Sequence, residues 1–111
     1  MDRASAESER VVEFRGSLRR GTSELFSLRA GSLRAWMRAS TTELVLGVDL
    51  SLEPDIVLKR ELVRSIRTAG LLRMSVQIEH ADPAQPAYLV FRPFDVQLVC
   101  EELRALGYPV E

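Results

Sequence analysis

The sequence predicts one α+β domain: an antiparallel sheet with two helices on one face, in βαββα(β) order from residue 42, preceded by N-terminal strands. Three observations carry this expectation. A chain of 111 residues with 46% hydrophobic content has the size and composition of one globular core. Several short runs alternate apolar and polar residues with the period of a strand. Two longer runs, beginning at Asp55 and Asp95, set apolar residues on a helical stripe and are each followed by a glycine.

Residues 1–9 are small, polar and charged without periodicity, which predicts a flexible terminus ahead of a single domain at 10–111. Val12, Phe14, Gly16 and Leu18 alternate with Glu13, Arg15 and Ser17, as in a strand, and residues 19–23 break the pattern. Residues 24–39 fit two periods. As a helix, Phe26, Ala30, Leu33 and Met37 share a stripe. As a hairpin, the chain turns at Gly31 and Ser32, and Arg34, Trp36 and Arg38 share one face. The hairpin is preferred, because an interior glycine costs a helix about 1 kcal/mol and suits a tight turn.

Leu44, Leu46, Val48, Leu50 and Leu52 alternate as the clearest strand. Leu58, Leu62, Ile66 and Ala69 then recur at helical spacing after Pro54 and Asp55, with Gly70 placed for a C-terminal cap. Leu72, Met74, Val76 and Ile78 alternate again, Pro83 and Pro86 mark a loop, and residues 87–92 form a short strand ended by Pro93. Asp95 caps a final helix with Val96, Val99, Cys100, Leu103 and Leu106 on its apolar stripe, terminated by Gly107. Residues 108–111 suit a last short strand.

This order is the split βαβ layout of ferredoxin-like domains. From residue 42 onward the chain resembles, in topology, the small regulatory ligand-binding domains of the ACT type, and the run from Ile66 to Leu72 is similar to their first helix-to-strand turn. The resemblance implies a small-molecule sensor with its ligand held between subunits near Glu53, Pro54 and Asp55. That family usually has glycine at this loop, and this chain does not.

The formal net charge is −1, but its distribution is uneven. Seven arginines stand against two glutamates between Arg10 and Arg38, whereas acidic residues outnumber basic ones eleven to seven from Glu43 onward. No apolar run reaches membrane-spanning length and no signal-peptide core is present, so cytoplasmic residence is expected. The single cysteine, Cys100, excludes an intramolecular disulfide and a zinc site built on several cysteines.

Neither phosphate-loop glycine pattern occurs, so Gly16 and Gly21 carry no nucleotide expectation. Cys100 reads as a core residue, His80 with Asp82 as a loop pair, and Asp49 with Glu53 and Glu101 with Glu102 as solvated carboxylates. No catalytic residue, metal or cofactor is expected. Attention falls instead on Arg15, Arg29, Arg34, Trp36 and Arg38, which alternation would gather on one sheet face. Trp and Arg anchor protein interfaces, and an aromatic ring between guanidinium groups also stacks a nucleobase. The leading expectation is a non-enzymatic protein-interaction or regulatory module, homodimeric through open sheet edges. The alternatives are an accessory nucleic-acid-binding domain on the same face and the ACT-like sensor.

Overall fold

The computed structural model describes residues 10–111, with 30–33 described by backbone alone, so the expected flexible terminus lies outside the described residues. The strands are β1 (Val12–Gly21), β2 (Ser27–Ala39), β3 (Glu43–Val48), β4 (Ile56–Lys59), β5 (Val63–Ala69), β6 (Ser75–His80) and β7 (Tyr88–Pro93). One α-helix, α1 (Val96–Ala105), follows them. All seven strands form one antiparallel sheet in the order β4-β3-β2-β1-β7-β6-β5. Two meanders, β1–β4 and β5–β7, are therefore joined along β1 and β7, and the sheet curls into a half-barrel.

Alternation decides which side of each strand enters the half-barrel. Ala35, Met37 and Ala39 of β2, Leu44 and Leu46 of β3, and Ile56 and Leu58 of β4 all point inward and are buried. Val76, Ile78, Leu89 and Phe91 do the same from β6 and β7. The helix closes one end: Asp95 accepts a hydrogen bond from the Leu98 amide at 3.1 Å as N-cap, and Val99, Cys100 and Leu103 enter the core. Beyond it, the Tyr108 hydroxyl donates to the Ser40 carbonyl at 2.8 Å, and Arg60 Nη1 donates to the Leu106 carbonyl at 3.1 Å. These bonds fix the helix end to the β2–β3 turn and to the corner between β4 and β5.

The ferredoxin-like expectation is wrong. There is one helix among the described residues, not two on a sheet face, and the expected helix from Asp55 to Ala69 is β4, a single 3₁₀ turn at Arg60–Leu62, and β5. Ile56 and Leu58 point into the core while Val57 and Lys59 face out, and Val63 and Ile66 are buried from β5. Two short strands meeting at a three-residue corner shift phase there, so their inward positions mimic the spacing of a helical stripe. The high β-branched content of the run, with Ile56, Val57, Val63, Ile66 and Thr68, favours the strands. Gly70 does not end an α-helix; with φ at 79° it lies in the β5–β6 connection, where it precedes a 3₁₀ turn at Leu71–Arg73 in which Leu72 and Arg73 also have positive φ, 57° and 53°. With that helix gone, the topological basis for an ACT-like domain is gone too.

Residues 27–39 are neither helix nor hairpin but one strand, β2. Gly16 pairs with Ala35 and Leu18 with Ala30, so two steps along β1 match five along β2 and the surplus lies at residues 31–34. A wide bulge thus takes the place of the expected turn, a common alternative use of glycine within a strand. The remaining boundaries moved modestly: the strand expected at 42–52 stops at Val48, and that expected from Leu72 begins at Ser75. Val110 makes a parallel bridge to Ile66, with bonds of 2.9 Å from the Ile66 amide to the Pro109 carbonyl and from the Glu111 amide to the Ile66 carbonyl.

Candidate interaction surfaces

The outer face of the first meander holds three of the five residues singled out in the sequence. Arg15 pairs with Trp36 across β1 and β2, Glu13 pairs with Arg38, and Trp36 pairs with Gly47 of β3. Trp36 is half-buried on this outer face, with the Arg38 guanidinium 4.7 Å from its ring centroid. The indole lies over the backbone of Gly47, where a β-carbon would overlap both the ring and the Asp55 carboxylate.

Carboxylates neutralise this face. Glu13 Oε1 accepts from Arg38 Nε at 3.0 Å and Nη2 at 2.8 Å, while Asp49 accepts from Arg15 at 2.5 Å and the second Glu13 oxygen lies 3.9 Å from Arg15. Arg15 and Arg38 are therefore engaged with carboxylates within the sheet. Arg34 is exposed on the same side, and its carbonyl accepts from the Asp49 amide at 2.8 Å. Arg29 is elsewhere: it lies beyond the bulge, directly opposite Arg19.

The residues read as non-catalytic in the sequence have structural settings. Cys100 is buried, and desolvation pushes its thiol pKa up against a smaller opposing effect of Arg104. The His80 ring accepts from the Asp82 amide at Nδ1 (3.1 Å), so Nε2 carries the proton and donates to the Pro86 carbonyl at 2.7 Å. His80 is thus a staple across the β6–β7 loop. Asp49 and Glu53 each bind an arginine, Arg15 and Arg20, and Glu102 pairs with Arg10 at 2.6 Å. Among the described residues no group of three or more His, Cys, Asp or Glu side chains could hold a metal, and no helix is long and apolar enough to cross a membrane.

Sequence reasoning missed the open end of the half-barrel. There the β1–β2 loop (22–26) with the adjoining strand ends, Glu53 of the β3–β4 loop (49–55) and Pro86 of the β6–β7 loop line a cavity of about 510 Å³. Leu25, Phe26 and Leu28 line this mouth, with the Arg20–Glu53 ion pair as its charged element. Leu50 and Leu52 project from the second loop, and all five apolar side chains are at least 73% exposed. Leu50 also holds φ at 62°, a conformation that costs a leucine roughly 1 kcal/mol. The available signal was that Leu50 and Leu52 continue the alternation of β3, and Phe26 that of β2, past the strand ends.

Comparison of the chain with protein-family models, curated proteins and solved structures finds no match.

Proposed function

We propose that this chain is a non-enzymatic protein-interaction module whose mouth, rather than its Trp36 face, receives an apolar segment of a protein partner. One observation carries the reading: three large apolar side chains, Leu25, Phe26 and Leu28, stand in water in the lining of one concavity, and the loop that adds Glu53 to that lining exposes Leu52 and Leu50, the latter on strained backbone. Water-exposed apolar surface of this kind is costly unless a partner covers it, and barrel mouths are favoured places for bound groups. The Arg20–Glu53 pair at the rim supplies polar orientation without a strong field of either sign. The Trp36 face has its ring covered by Gly47 backbone and Arg38, and its carboxylates already satisfied.

Selection of a displayed random-peptide library on the full chain tests this. The expected result is enrichment of peptides with aromatic or branched aliphatic anchors whose binding is lost in a Leu25→Ser/Leu28→Ser double variant. Because both side chains are exposed, each substitution should alter stability by no more than about 0.5 kcal/mol. A concentration-dependent dimer of the wild-type chain that dissociates in the same variant would identify the partner as a second copy. Failure to enrich peptides from a monomeric chain, or equal binding by the double variant, would refute the proposal.

A further inference from the structure

A second concavity lies on the outer face where β1, β2, β6 and β7 run side by side, separate from the mouth. It encloses about 420 Å³, and three guanidinium groups line it: Arg19, Arg29 and Arg92. Their convergence follows from strand register. Arg19 and Arg29 are direct cross-strand partners, and Arg92, opposite Ser17 on β7, sits diagonally beside Arg19. Like charges placed directly opposite on a sheet are destabilising. On the Trp36 face, Glu13 and Asp49 relieve such repulsion, but here no ion pair to these three arginines exists among the described residues. The polar contact of Arg92 is to the Met74 sulfur, at 3.6 Å. Glu24 is the one acidic residue in the lining, which leaves the walls with a formal charge of +2. Hydroxyl donors from Ser17, Ser75 and Tyr88 complete them.

We infer that this pocket binds a phosphomonoester dianion. Two negative charges match the excess on the walls. A guanidinium fork recognises carboxylate or phosphate oxygens in pairs, but three forks approaching from three strands suit a tetrahedral group with oxygens in several directions better than a planar carboxylate. The cavity is much larger than a phosphate group, so an organic portion fits beside Tyr88 and Val90, which also line it. The ligand chemistry is a phosphomonoester, whether on a small soluble molecule or on a lipid headgroup.

The test is an amide-resolved NMR titration of the full chain with phenyl phosphate, against sodium chloride at matched ionic strength and dimethyl phosphate as a monoanionic diester. Saturable shifts at Ser17, Arg19, Arg29, Ser75, Gln77 and Arg92 are expected, with affinity about tenfold or more above that for the diester. Arg19→Gln and Arg29→Gln should each weaken binding about tenfold, and Arg29→Gln should raise the thermal midpoint of the ligand-free protein by relieving repulsion. Phosphatidylcholine vesicles carrying a minority of phosphatidic acid separate the two sources. Cosedimentation that phenyl phosphate competes away and Arg19→Gln abolishes assigns the group to a headgroup; a titration response without cosedimentation assigns it to a soluble ligand. Absence of saturable shifts, equal affinity for the diester, or shifts that survive both arginine substitutions would overturn the inference.

Discussion

Gly47 determines how the indole of Trp36 lies. Its missing side chain leaves room for the ring over β3, and a methyl group there would overlap both the ring and Asp55. Gly47→Ala should therefore lift the indole from the sheet, destabilise the fold by about 1–3 kcal/mol in urea titrations, and shift tryptophan emission to the red. Tyr108 offers a second test at this scale. Burial of its ring and hydroxyl raises the pKa to about 12, outweighing the lowering effect of Arg60 and reinforced by Glu43 and Glu61. A folded pKa above the unfolded value means that this contribution is complete below pH 10 and disappears as pH rises through 12. Alkaline unfolding monitored by circular dichroism should accordingly begin above pH 10, and Tyr108→Phe should lose part of that pH dependence. The same variant should cost about 1 kcal/mol at neutral pH through loss of the bond to Ser40.

Among the elements, α1 was the most legible in the sequence, because its cap, apolar stripe and terminating glycine all agree. Asp95→Ala should remove the cap bond to Leu98 and lower stability by about 1 kcal/mol in chemical denaturation. The alternation of Leu44 with Leu46, Val76 with Ile78, and Leu89 with Phe91 was equally readable, since each of these residues does face the core. Residues 55–69 were not. A one-turn corner between two short strands gives Leu58, Leu62 and Ile66 a spacing that either structure satisfies, and only packing against β3 and β6 distinguishes them. Residues 31–34 failed for a related reason: glycine marks a break in regular pairing, but the choice between turn and bulge depends on whether β1 continues alongside. The gathering of Arg15, Trp36 and Arg38 followed from alternation alone, whereas their neutralisation by Glu13 and Asp49 required the register of β1 and the turn after β3.

For the molecule as a whole, the two sheet edges matter to association. The β5 edge is bridged by Val110, and the Val57 carbonyl on the β4 edge accepts a 3.4 Å bond from the Gln85 side chain. Partial covering of both edges weakens the expectation of a homodimer built by edge pairing and moves interest to the two ends of the half-barrel. One end is closed by α1 and tied through Tyr108; at the other, exposed Leu25, Phe26 and Leu28 line a cavity. This asymmetry is the central claim, and an amide-resolved NMR titration with a library-selected peptide tests it most directly. The account predicts saturable shifts confined to residues 20–28, 49–53 and the vicinity of Pro86. Shifts centred instead on Arg15, Trp36 and Arg38 would contradict it.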